Sequence, residues 1–273
     1  MKNEGKKNSF KQAVLTELRE NRSTFLVYSG LRIVVIFMMI LQLFNQNYEN
    51  VFLCILTLVL MIMPSVLQVT FKVEFPSALE IIILLFIFAA EILGEIQAFY
   101  IQYPYWDTIL HTLNGFLCAA IGFSLAEILN RDPRLKFNLS PLFLVLVAFS
   151  FSMTIGVMWE FFEYGMDQLI GMDMQKDTVI EEFHSTLLDP TNRNQRIPVQ
   201  DIRSVSVNGR ELGVEGYLDI GLIDTMNDLL VNFIGAVTFS VPGYLYLKSR
   251  NKGMIMSLVP TVQMEDKYEK SEE

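Results

Sequence analysis

The stretch Gly156-Val-Met-Trp159-Glu160-Phe161-Phe162-Glu163-Tyr-Gly-Met-Asp167 closes a long apolar run that begins near Pro141. At 100° per residue Glu160, Glu163 and Asp167 fall within one narrow stripe of a helix, while Trp159, Phe161 and Phe162 cover other faces. Acids on such a helix are costly in lipid. They face a bundle interior or a water-filled cavity, where cations or protons compensate them. The remainder of the chain reads as the source of that cavity.

Composition agrees. With 52% hydrophobic residues, 21 Phe in 273 residues and a mean hydropathy of +0.36, the chain is too apolar for an ordinary soluble domain and reads as a polytopic membrane protein. The net charge of −9 says little about partners, because many of the acids lie in or beside apolar segments. No basic stripe interleaved with aromatics is present, which excludes a nucleic-acid role. Cys54 and Cys118 both sit inside apolar runs and read as small buried hydrophobes rather than as a disulfide or metal pair.

Six apolar stretches approach the ~20 residues that cross a bilayer: about 25–44, 50–69, 78–99, 106–129, 141–165 and 222–247. The expected fold is therefore an all-α polytopic membrane protein of six transmembrane helices. A basic leader, residues 1–24, precedes helices 1–5 in residues 25–165. An extracytoplasmic insertion, residues 166–221, separates them from helix 6 in 222–247, and a charged tail, 248–273, follows. The connections 45–50 and 99–106 contain no Lys or Arg. The leader, Lys72, the Arg131/Arg134/Lys136 group and Lys248/Arg250/Lys252 fall on the opposite side, so the positive-inside rule puts both termini in the cytoplasm of a multi-pass inner-membrane protein.

The insertion is too long for a bare connection. Residues 177–188 read as a short capped helix ending before Pro190. Ser204-Val-Ser-Val-Asn208-Gly209-Arg-Glu-Leu alternates on both sides of Asn-Gly, a strong hairpin signal, so a small helix plus a β-hairpin is expected. From Gln263 onward the tail reads as disordered.

Alternating topology then sorts the intramembrane polar residues by depth. Glu91 and Glu95 lie in the outer half of helix 3. Asp107, His111, Asn114 and Cys118 line one face of helix 4 from its outer end. Glu160, Glu163 and Asp167 close helix 5, and Asp224 and Asp228 open helix 6 with Asn227 and Asn232 nearby. All four sets arrive at the outer leaflet. Asp107 and Asp224 also read as helix N-caps at the water interface, and with Asp167 need no further partner there. Glu91, His111, Glu160 and Asp228 lie a turn or more inside, where crowded carboxylates cannot all stay ionised without cations. A divalent ion (Zn²⁺, Mn²⁺ or Mg²⁺) held by Asp107, His111, Glu160, Asp167, Asp224 and Asp228 is one solution, and protons are the other. Glu91, Glu95, Asn114, Asn227 and Asn232 read as supporting polar groups. Arg32 either snorkels to the cytoplasmic side or pairs with Glu80. His184 reads as a surface residue. Asp107-Thr-Ile-Leu-His111 and Asp224-Thr-Met-Asn-Asp228 form a weak internal echo, each opening an inward-running helix.

At these residues the chain resembles the YjdF-type bacterial and archaeal polytopic membrane proteins, a family of unknown function. The likeness rests on Gly94-Glu95 with Phe99-Tyr100, Trp106-Asp107-Thr-Ile-Leu-His111-Thr-Leu-Asn-Gly115, the opening stretch through Asp167, Met174-Gln175 and Gly221-Leu-Ile-Asp224-Thr-Met-Asn-Asp228. The resemblance implies a multi-pass membrane protein with these polar motifs and implies no reaction. A fainter likeness to VanZ-like membrane proteins rests on Trp106-Asp107-x3-His111 alone.

Three functions compete. A metal-dependent hydrolase or transferase would act on a lipid or envelope precursor, with Glu160 and Glu163 catalytic and Glu163 as the general base. A cation or proton transporter would use the same acids and would need polar groups continuing inward, for which Glu80, Ser124 and Glu127 are available. A structural protein would dock an envelope partner on the insertion. The bilayer is the one partner that composition specifies, and nothing in the sequence fixes an oligomeric state.

Overall fold

The computed structural model of the chain describes residues 22–71, 73–131, 138–249 and 261–262. Most of the basic leader, Lys72, Arg134, Lys136, Arg250, Lys252 and the tail from Gln263 lie outside the described residues. Six helical spans are long and apolar enough to cross a membrane: Ser23–Phe44, Tyr48–Phe71, Ser77–Ile96, Trp106–Asn130, Pro141–Ile170 and Leu222–Lys248. They match the expected stretches within a few residues. The largest difference is the fifth helix, which continues to Ile170 and so holds Asp167 inside it.

Helix α1 (Arg22–Phe44) is followed by α2 (Tyr48–Leu60), which gives way after a turn at Met61 to α3 (Met63–Phe71). Pro64 explains the interruption. Its ring tolerates the first turn of α3 but could not continue α2. Beyond α3 the Gln68 side chain accepts a hydrogen bond from the Phe75 amide at 2.7 Å, shaping the return into β1 (Val73–Glu74). β1 pairs antiparallel with β8 (Thr261–Val262), Val73 opposite Val262.

The third span starts as α4 (Ser77–Phe88) and widens into a π-helix over Ala89–Ile96. Ala98, with φ of 57°, ends it and starts the short α5 (Phe99–Gln102). Helix α6 (Trp106–Arg131) then crosses the bilayer, α7 (Pro141–Ile170) crosses back, and α8 (Leu222–Ser249) crosses again.

By internal packing the chain divides into two units, Met1–Gly156 with Val231–Glu273, and Val157–Leu230. In the first, Tyr28, Val35, Cys54, Met61, Leu84, Ile87 and Ile92 make one core from the first three spans. Ala119, Ala120, Phe123, Val145, Ala148, Ala236 and Phe239 make another from the last three, with the Phe123 and Phe239 rings edge to face. Arg32 donates to the Tyr28 hydroxyl one turn toward the start of α1.

The second unit contains the end of α7, the start of α8 and three small antiparallel ladders. β2 (Val179–Ile180) pairs with β7 (Tyr217–Leu218), β3 (Phe183–Ser185) with β4 (Ile197–Val199), and β5 (Ser206–Val207) with β6 (Arg210–Glu211). The hairpin expected at Asn208-Gly209 is present, and both turn residues adopt the positive φ, 53° and 78°, that the tight turn requires. The helix expected over residues 177–188 is not formed; this stretch holds β2 and β3. Val179, Ile180 and Phe183 suit strands, and their partners lie far along the chain, with the Phe183 and Tyr217 rings in tilted contact at 5.3 Å. Long-range pairing overrides the local capping pattern.

Candidate functional site

The fifth helix behaves as its stripe predicts. Glu160 is 4% exposed and Glu163 is buried, whereas Phe161 is 70% exposed and Met158 and Tyr164 also face outward. Lipid therefore meets the aromatics, and the acids turn inward. The Trp159 indole N–H donates to Glu163 Oε1 at 2.8 Å and fixes that carboxylate.

A crossing layer in the first unit sets the register of the last three spans. Asn232, wholly buried, accepts a hydrogen bond from the Asn114 amide at 3.0 Å through its side-chain oxygen. The Cys118 thiol donates to Asn114 Oδ1, and Ser152 Oγ donates to the Gly115 carbonyl at 2.7 Å. Three glycines make this approach possible. A Cβ on Gly115 would lie 2.1 Å from the Asn232 carbonyl oxygen, one on Gly235 2.0 Å from that of Thr112, and one on Gly156 2.7 Å from the Asn232 amide nitrogen. Helices α6, α7 and α8 thus meet backbone to backbone or backbone to side chain around Asn232, as small residues allow in membranes.

One turn before Gly115 is His111, one turn before Asn232 is Asp228, and one turn after Gly156 is Glu160. All three are buried. His111 Nε2 lies 3.4 Å from Asp107 Oδ1, one turn farther out. Asp107, His111 and Asp228 form a group whose side chains could hold a metal ion.

The other predicted site residues have different placements. Asp167 spends both carboxylate oxygens on backbone amides, Oδ1 accepting from Met174 at 2.6 Å and Oδ2 from Gln175 at 2.9 Å, which ties the end of α7 to the following turn. Asp224 Oδ2 accepts from the Lys176 amide at 2.7 Å. Asp219, which the sequence reading did not single out, accepts from the Thr178 and Ile223 amides and satisfies the start of α8. An acid a few residues before a helix start was the available signal for it. Asn227 is exposed, unlike Asn232.

Glu91 is 2% exposed and sits with Glu95 in the π-helix, and its Oε2 has no hydrogen-bond partner among the described residues. Trp106 joins this segment to the start of α6, its indole N–H donating to the Ala89 carbonyl at 3.3 Å and its ring packing edge-on to Phe99. Both cysteines are free, Cys54 within the first core. His184 is exposed, as expected.

Slight desolvation and the charges of Asp173, Asp219 and Asp167 raise the carboxyl of the exposed Asp177 above its ordinary range. No curated protein and no solved structure matches the chain. The family model described as "Predicted membrane protein (DUF2238)" matches residues 27–249, so the chain, in keeping with its YjdF-type resemblance, belongs to that family of membrane proteins of unknown function.

Proposed function

We propose that this protein is a membrane metalloenzyme, a hydrolase or transferase whose divalent ion is held by Asp107, His111 and Asp228 near one face of the bilayer. The observation that carries this reading is the placement of a His and two carboxylates one or two turns from a glycine-lined helix crossing. A mixed imidazole and carboxylate set suits Zn²⁺ or Mn²⁺, and Glu160, buried one turn beyond Gly156, would add a third oxygen donor. Such an ion would supply an activated water at neutral pH, and Glu163, oriented by Trp159, would serve as the general base. The surrounding lipid makes a lipid or a lipid-linked envelope precursor the substrate class, reached from the extracytoplasmic leaflet of the inner membrane. Asp167 and Asp224 act on the backbone between α7 and α8 and shape the site's rim.

Metal content of protein purified without chelator tests this. Wild type should retain or take up one of Zn²⁺, Mn²⁺ or Mg²⁺. His111→Ala, Asp228→Asn and Glu160→Gln should each lose it, while Glu182→Gln should not. A correctly folded wild type that binds none of the three ions would overturn the reading.

Transport is the second reading, and Glu80, Ser124 and Glu127, all buried, are the observation that favours it. They lie toward the other side on spans 3 and 4. Ion flux in sealed liposomes that depends on both Glu160 and Glu127 would support transport and displace the enzyme reading.

A further inference from the structure

We propose that the turn joining β3 to β4 in the second unit is a lipid-docking finger, with Leu187 and Leu188 entering the leaflet and Arg193 and Arg196 binding anionic lipid headgroups. Leu187 is 95% exposed, and its neighbour Leu188 is exposed as well. A single exposed leucine needs no explanation, but an adjacent pair at the tip of a well-braced turn does.

The bracing is extensive. The buried Asp189 carboxylate accepts hydrogen bonds from the Thr191 amide and hydroxyl and from the Arg193 and Gln195 amides, at 2.7–2.9 Å. Leu187 N donates to Ser185 Oγ at 3.1 Å, and three residue pairs of the β3–β4 ladder lie beneath. Docking such a preformed tip costs little conformational entropy.

Charge selects the partner. Arg193 and Arg196 are exposed and take part in no ion pair among the described residues, and the one acid of the turn, Asp189, points inward. At the foot of the ladder the charges reverse, with Glu181, Glu182 and Asp201 together and Arg203 engaged with Glu181 at 3.2 Å. Two leucines beside two free guanidinium groups match a membrane interface with anionic headgroups. The unit is also tethered to a bilayer by α7 and α8, so the leaflet is present at high effective concentration, whereas a soluble partner is not.

The experiment uses full-length protein with Cys54→Ala and Cys118→Ser, carrying a bimane label through Leu187→Cys or, separately, Asn208→Cys. Both are reconstituted in vesicles of phosphatidylcholine with brominated acyl chains, with or without added phosphatidylglycerol. The label at 187 should be quenched more strongly than that at 208, and more so with phosphatidylglycerol. Arg193→Gln and Arg196→Gln should each lower the docked-to-free ratio about fivefold in the anionic vesicles only. A label at 187 quenched no better than at 208 overturns the proposal. So does a label shielded from water yet untouched by brominated lipid, which would assign the tip to a protein partner instead.

Discussion

Substituting Gly235→Ala adds one methyl group in the middle of α8, and the structure sets its consequence. The new Cβ would lie 2.0 Å from the Thr112 carbonyl oxygen, an atom of helix backbone that no side-chain rotation can move. Carbon approaches a carbonyl oxygen to roughly 3.3 Å in helix–helix contacts, so α6 and α8 must separate there by about 1.3 Å. Overpacking of this kind costs about 1–3 kcal/mol, against a gain of about 0.5–1 kcal/mol for replacing glycine within a helix, and the clash prevails. The displacement falls about one helical turn past Asn232 and two past Asp228. A metal site tolerates only about 0.2 Å in its ligand distances, so metal affinity should fall by a factor of ten or more. Gly30→Ala and Gly165→Ala are the controls, since a Cβ at either meets nothing within 4 Å, and both should be neutral or stabilising. Thermal unfolding in detergent by tryptophan fluorescence, together with metal per protein chain, reads both effects. If Gly235→Ala were as stable as Gly30→Ala, the close crossing of α6 and α8 would be refuted. If it were destabilised but held metal at full affinity, Asp228 could not be a ligand.

Asp167→Ala should free the Met174 and Gln175 amides and destabilise the join after α7 by about 3–6 kcal/mol, since each is a hydrogen bond to a charged group. Hydrogen exchange should quicken at residues 172–176 while metal content is unchanged; loss of metal would restore Asp167 to the ligand set. The two shifted loop acids should act on stability in opposite directions. Hydrogen bonds from the Thr191 side chain and the amides of Gln195, Thr191 and Arg193 hold Asp189 down at about 2. Its stabilising effect is therefore complete above the ordinary carboxylate range and is lost as pH falls toward 2. The exposed Asp177, raised by slight desolvation and neighbouring acids, binds its proton more tightly folded than unfolded, so it destabilises at neutral pH and less so as pH falls through its folded value. Asp177→Asn should raise the unfolding temperature at pH 7, and an unchanged or lower value would contradict this. For topology, cysteine introduced at Asn47 or Asn208 should react with an impermeant thiol reagent on intact cells and cysteine at Arg134 should not, whereas labelling at Arg134 would invert the membrane orientation.

Local features carried most of what the sequence decided. Hydropathy placed six spans because lipid cannot hydrogen-bond a backbone, and any segment of that length and apolarity must be a helix there. The inward turn of Glu160 and Glu163, with Phe161 facing out, followed from helical periodicity against one apolar solvent. Asn208-Gly209 specified its turn because few other residues adopt those backbone angles. Tertiary structure decided the rest. Residues 177–188 carry a helix-like capping pattern, yet they form strands because Leu218, Tyr217 and Val199 supply partners from far along the chain. Asp167 looked like one more acid of a stripe until the following turn brought two amides to it. The meeting of Gly115, Gly156 and Gly235 around Asn232 was likewise invisible, since a glycine in a helix records no partner. That crossing depends on shape complementarity between three helices, which no single stretch of sequence encodes.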